Sequence, residues 1–187
     1  CDEYAIGEGF LKYADWLNEI MESGDFWRDV YKECPIPSSA WLMHRLDFET
    51  IGPAIPRYKN TKPYGQVPFQ YSCHVMQSEK SKDLEHFEYL HVEGTDPREA
   101  LAKSLIDNFK EVGSVVAYNM GFERGVLVKL AEQFPKYKNN LLSIAERLVD
   151  PLPIFRNHIY DPEFLGSFSI KYVAPAIIGD KLSYEDL

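Results

Sequence analysis

The chain has 187 residues, 45% of them hydrophobic, with 20 basic and 29 acidic side chains and a formal charge of −9. That size and apolar content suit one domain, or one domain with an appendage, around a real core, and they exclude global disorder. So acidic a chain does not coat duplex DNA, which takes many Lys and Arg contacts to phosphate, whereas a site built on acidic metal ligands is compatible with it.

No run approaches the roughly eighteen apolar residues that cross a bilayer, and the N-terminus lacks the basic, apolar and small-residue order of a secretory signal. The expectation is a soluble, cytoplasmic protein with no membrane partner. The 3 cysteines, Cys1, Cys34 and Cys73, are odd in number and form no C-x-x-C pair, which argues against a disulfide framework and a thiolate zinc site.

Residues 4–32 read as helical, with Phe10, Tyr13, Trp16, Leu17, Ile20 and Met21 recurring at helical spacing. Cys34-Pro-Ile-Pro-Ser-Ser39 breaks the pattern. Residues 1–38 are therefore expected to be a helical appendage with its linker, and 39–187 the main domain. Within that domain Trp41–Phe48 is a predicted strand, followed by an irregular loop with Gly52, Pro53, Pro56, Pro63 and Gly65. Phe69–Met76 and Leu84–Val92 are two more strands, separated by a polar turn over Gln77–Asp83, and the three suggest an antiparallel meander.

Thr95 or Asp96 can cap a helix with Pro97 in its first turn and a stripe of Leu101, Leu105, Phe109 and Val112. Ser114–Tyr118 is a short apolar strand broken by Asn119-Met-Gly121, and Phe122–Phe134 is a second helix ended by Pro135. A third helix is expected over Asn140–Val149, and a fourth from about Ser169 to a stop before Pro175. Three strands, helix, strand, helix and further helices predict an α/β fold with a mixed sheet and helices on both faces.

Two acids spaced i, i+2 on a strand share one face, where they can hold a hard cation. Composition produces roughly one such pair by chance, and the sequence has three: Asp47/Glu49, Asp83/Glu85 and Asp161/Glu163. The second sits at a polar turn and the third flanks Pro162, so both read as solvated surface. Asp47 and Glu49 stand toward the end of an apolar strand, where sites in open sheets form. Burying them unpaired would be costly, and a metal would relieve that cost. Glu123, just past a second strand end, is either a functional acid or a carboxylate favoured by the helix macrodipole, and Asn119 either a functional side chain or a cap.

Leu46-Asp-Phe-Glu-Thr50 resembles the first motif of the DEDD-type 3′-5′ exonuclease superfamily, which has a ribonuclease H-like fold, and Asn119-Met-Gly-Phe-Glu123 resembles its second. More narrowly, Pro68-Phe-Gln-Tyr-Ser-Cys-His-Val75, Ala117–Glu123 and Gly166-Ser-Phe-Ser-Ile-Lys171 with Val173 and Pro175 resemble a family of uncharacterised bacterial proteins. In that family the domain often follows a RecB-type nuclease domain. The resemblance spans residues 41–187 and implies a hydrolase that cleaves phosphodiester bonds in DNA or RNA. Two Mg²⁺ or Mn²⁺ ions would be held by Asp47, Glu49 and Glu123, with Thr50, Asn119 and Lys171 toward a single-stranded substrate.

The chain departs from that pattern in carrying Glu123 where most of the superfamily has Asp, and it shows no Tyr or His four or five residues before a final Asp in the expected place. His158 with Glu163 has a fitting spacing but precedes the Ser-Ile-Lys element, so the last ligand and general base are expected beyond Leu187, with activity in the intact parent and little or none in these residues alone. The alternative is a catalytically silent domain of the same fold that binds nucleic acid or a partner nuclease. Asp150 reads as a cap or loop residue, Lys171 equally as a solvated helix lysine, and Gln70, Tyr71 and His74 as strand residues. Arg57, Lys59 and Lys62, interleaved with Tyr58 and Tyr64, either guide a single strand by charge and stacking or form an ordinary exposed loop.

Overall fold

The computed structural model describes residues 42–77, 85–109 and 112–178. The expected helix over 4–32, the boundary at residues 38 and 39, and most of the turn over 77–83 lie outside them. The described residues belong to two compact units, 42–149 and 150–178.

The first unit is a mixed sheet. Strand β1 (Met43–Ile51) pairs antiparallel with β2 (Val67–Met76), and β2 with β3 (Glu85–Leu90), which is the expected meander. Helix α1 (Arg98–Asn108) then crosses to β4 (Ser114–Val116), which lies parallel to β1 on its other side. Helices α2 (Gly121–Gln133) and α3 (Lys138–Glu146) lead to β5 (Leu148–Val149), parallel to β4. The 5 strands stand in the order β3-β2-β1-β4-β5.

Alternation along β1 and β2 sends Leu46, Phe48, Tyr71, Cys73 and Val75 to one face. There they form a single core with Leu101, Ala102 and Leu105 of α1, Val126, Leu127, Leu130 and Ala131 of α2, and Leu141, Ile144 and Ala145 of α3. Each large apolar side chain so buried contributes roughly 1.5–3 kcal/mol. The described helices of this unit all join that one core, while Met76, Ser114 and Val116, on the other face, are also buried. The Tyr71 hydroxyl reaches Ser104 Oγ (2.9 Å) and accepts from Asn108 Nδ2 (2.8 Å), so a polar tip within the core is satisfied. Burial pushes the Cys73 thiol up to about 12, which keeps it a protonated, inert core residue.

Two expectations are corrected here. Val112 leaves the α1 stripe and is 65% exposed, because the helix stops at Asn108 and Phe109 turns extended (ψ 122°). The third helix ends at Glu146, and Leu148 and Val149, expected as its last turn, pair instead with Val115 and Val116. Gly113 makes the entry to β4 possible: its φ is +95°, and a Cβ there would lie 2.3 Å from the Leu42 carbonyl oxygen, beside the strand it must join.

The second unit holds α4 (Leu152–His158), a short 3₁₀ turn and α5 (Ile170–Ile178). Asp150 caps α4 by accepting from the Leu152 N–H at 3.0 Å, so its cap reading holds. The expected stop before Pro175 is overturned, since α5 runs through it. The proline leaves open only the Lys171 carbonyl, in a turn whose Lys171 and Tyr172 are exposed, while the apolar run continues past it. Among the described residues no helix is long and apolar enough to cross a membrane.

Arg98 ties the sheet's surroundings together while only 4% exposed. Its guanidinium donates to both Asp96 carboxylate oxygens (2.9 and 2.6 Å), to Gln133 Oε1 at the end of α2 (2.8 Å), and to the Lys59 carbonyl in the β1–β2 loop (2.7 Å). Burial pushes the Asp96 carboxyl up, but the hydrogen bonds and charge of Arg98 outweigh it and hold the carboxyl below its ordinary 3.8. A depressed folded-state pKa stabilises the fold above the unfolded value and ceases to do so as pH falls through the folded one. Arg98→Met is expected to cost about 2 kcal/mol near neutral pH, discounted because Asp96 is partly exposed. The difference from wild type should shrink below pH 3.8; urea melts at neutral and acid pH check this, and an equal gap at both would contradict it.

Candidate functional site

Strand β1 sorts its side chains strictly. His44, Leu46 and Phe48 are buried, and His44 stacks on Phe109 with ring centroids 5.1 Å apart. Asp47 and Glu49 are exposed, on the face opposite the core. The expected burial of this pair is therefore corrected: water reaches both carboxylates, and no ion is needed to offset a desolvation cost.

The register places them further. The parallel β1–β4 ladder ends at Arg45 opposite Val116, so Asp47 and Glu49 lie on the length of β1 that continues past the end of β4. The chain leaves β1 toward β2 on one side and leaves β4 toward β5 on the other, and such a switch in an open sheet opens a crevice beyond the strand ends. The β1–β2 pairing slips between Glu49 and Thr50: Gln70 faces Glu49, Pro68 faces Thr50, and Phe69 is the extra residue. The Phe69 carbonyl instead accepts from the His91 N–H at 2.9 Å. A bulge of this kind re-aims side chains next to it.

Residues directly opposite in a sheet share a face. Asp47 stands across from Ser72 and Ser72 from Glu88; Arg45 stands across from His74 and His74 from His86; Glu49 stands across from Gln70. The Ser72 hydroxyl and His86 Nε2 are 3.0 Å apart, and the His74 and His86 rings stack at 4.3 Å. The acidic pair is thus part of a polar sheet face. His86 and Glu88 were not anticipated from sequence; their period-two spacing was visible, but only the register brings them beside Ser72.

Glu123 is placed differently. It is 5% exposed in the first turn of α2, on the stripe that continues through Val126, Leu127 and Leu130 into the core. A helix N-terminus favours an anion there. Asp47 and Glu49 look away from the helical layer and Glu123 belongs to it. Among the described residues no three of His, Cys, Asp and Glu come together in a group able to hold a metal ion. Two hard oxygen donors on one open face fit Mg²⁺ or Mn²⁺ in kind, though two carboxylates are fewer donors than such an ion takes.

The remaining candidates divide. Thr50 is half-buried beside the bulge. Asn119 is exposed with φ +61°, the left-handed region that Asn tolerates best among residues with a side chain, and it forms the corner from β4 into α2. Met120 occupies the N-cap position, with no side-chain cap bond. Lys171 is exposed on α5 in the second unit, in keeping with a solvated helix lysine. Of the other acidic pairs, Glu85 is exposed and accepts from Gln77 Nε2 at 2.9 Å, and Asp161 caps the 3₁₀ turn by accepting from the Glu163 N–H at 2.8 Å.

The model of the family described as a domain of unknown function (DUF2779) matches residues 44–169, and the chain belongs to that family. No curated protein and no solved structure matches the chain.

If the corner, and not the amide, is what position 119 supplies, Asn119→Gly should fold with unchanged or slightly higher stability. Asn119→Val should lose about 1–2 kcal/mol, because a β-branched residue is strained at positive φ. Thermal melts of the two variants check this; a glycine variant as damaged as the valine one would show that the amide itself matters.

Proposed function

We propose that this member of the DUF2779 family is a ribonuclease H-like, metal-dependent nuclease domain of the DEDD type that hydrolyses phosphodiester bonds in single-stranded DNA or RNA from the 3′ end. The observation that carries the reading is the pair Asp47 and Glu49, side by side on an open polar face of β1, past the end of β4 and next to a bulge. The meander followed by helix, parallel strand and helix supports the same reading, because it is the order that the resemblance implied.

Asp47 and Glu49 would hold Mg²⁺ or Mn²⁺ through their carboxylate oxygens. When bound, a pair of such ions activates water and stabilises the leaving oxygen of an in-line displacement. Glu123, the third ligand that the resemblance implies, stands in the helical layer, away from the face that carries Asp47 and Glu49, so in this reading the ions rest on that pair. Arg45, across the sheet from His74 on the same face, adds a cation beside the acidic pair. A RecB-type nuclease domain, fused or associated, is the partner this reading carries, and the cytoplasm its compartment.

A second reading is a domain of this fold that binds nucleic acid, or a partner nuclease, without cleaving. It is favoured by the lack of a three-donor group among the described residues. A 5′-labelled single strand incubated with the intact protein and Mg²⁺ or Mn²⁺ separates the two. The nuclease reading expects shortening from the 3′ end that chelation stops. It also expects Asp47→Ala or Glu49→Gln to slow the reaction at least about a hundredfold, since the lost interaction is worth several kcal/mol. Shortening that survives both substitutions contradicts it, and oligonucleotide binding without any shortening supports the silent domain.

A further inference from the structure

In a chain with net charge −9, no acidic residue occurs between Glu49 and Glu79, whereas Arg57, Lys59 and Lys62 fall within six positions of one another there. All three are exposed, in the loop over 52–66 that leaves β1 two residues after Glu49. Among the described residues they form no ion pair with one another's neighbours or with the acidic remainder of the unit. A run of cations with no acid of its own, in an acidic protein, is a local attraction for polyanions.

The loop is also built, and not merely open. The Tyr64 N–H donates to the Pro53 carbonyl (3.0 Å) and the Gly65 N–H to the Lys62 carbonyl (2.8 Å), closing the loop on itself. The Thr61 hydroxyl donates to the Tyr58 carbonyl at 2.7 Å, and buried Arg98 holds the Lys59 carbonyl from below. Within this frame Tyr64 has φ +58° and is 76% exposed. A bulky L residue at positive φ is strained, and such strain persists where the surroundings dictate it. Here the strained residue presents an aromatic ring to water in the loop that carries the three cations.

We propose that the 52–66 loop is a preformed grip for single-stranded nucleic acid, in which Arg57, Lys59 and Lys62 meet backbone phosphates and the Tyr64 ring stacks on an unpaired base. Charge that tracks the backbone and aromatic rings that take bases of any sequence are how single strands are held without sequence preference. A loop already fixed loses little freedom on binding. A duplex meets the cations but cannot offer the ring an unstacked base. The choice of a polynucleotide as partner rests on the nuclease reading above, while the grip itself uses none of the acidic residues.

The test is fluorescence anisotropy of the full chain with labelled oligodeoxyuridylate, oligouridylate and a duplex, all in EDTA. Single strands should bind more tightly than the duplex, with a log–log salt slope to which three phosphate contacts add roughly −2. Changing Arg57, Lys59 and Lys62 together to Gln should remove that part of the slope and weaken binding more than about tenfold. Tyr64→Ala should weaken binding about tenfold and leave the slope alone. The control, Gln at the exposed helix lysines Lys103, Lys129 and Lys138, should bind as wild type does, and matching melting curves confirm that all variants fold. The tighter of the two single strands names the sugar. Equal loss in the control triple, no effect of Tyr64→Ala, or equal affinity for the duplex overturns the proposal. Because no metal is present, tight loop-dependent binding without hydrolysis in a parallel Mn²⁺ assay sinks only the nuclease reading, and hydrolysis with loop-independent binding sinks only the grip.

Discussion

Strand β1 is the constraint on which the first unit depends. It is paired on both sides, antiparallel to β2 and parallel to β4, and its alternation must satisfy a core on one face and, at Asp47 and Glu49, water on the other. A slip of one residue would send Asp47 and Glu49 into the helical layer and Leu46 and Phe48 into solvent. The register that buries the core is therefore also the register that keeps the two carboxylates together on the open face. Stability and the candidate chemistry are specified by the same pairing.

Around that strand the charges are segregated. The polar face carries Arg45, Asp47, Glu49, His74, His86 and Glu88, while the loop that follows β1 carries only cations. Arg98 connects the loop to the body by holding the Lys59 carbonyl together with Asp96 and Gln133. A polyanion drawn to the loop would enter beside a strand whose next acidic residue inward is Glu49. Carboxylates at that position repel phosphate unless cations stand between them, which is the physical reason a metal-dependent reaction suits the arrangement.

The strands of the meander and helices α1 and α2 were legible because period two and helical spacing are long and regular there. Helix α4 gives no such signal, since seven residues carry little periodicity, and β5 reads as a helix end in sequence because its two residues are defined by their pairing with β4 alone. Pro175 marked a stop that the apolar run over Val173–Ile178 overrides. In the site, the shared face of Asp47 and Glu49 followed from spacing alone. Their exposure did not, because it depends on what packs where. Asn119 and Tyr64 were noticed as a motif residue and a loop aromatic; that both sit at positive φ is a property of the folded backbone. The cross-strand neighbours His86 and Glu88 needed the register.

The central claim is that the open face of β1 holds a divalent cation at Asp47 and Glu49. Titration of the ¹⁵N-labelled chain with substoichiometric Mn²⁺, read as paramagnetic broadening of amide resonances, locates the ion directly. Broadening centred on Asp47, Glu49 and their cross-strand neighbours Ser72 and Gln70, and lost in Glu49→Gln, is the expected result. Broadening centred on Asp161 and Glu163, or spread evenly over the acidic surface, would contradict it.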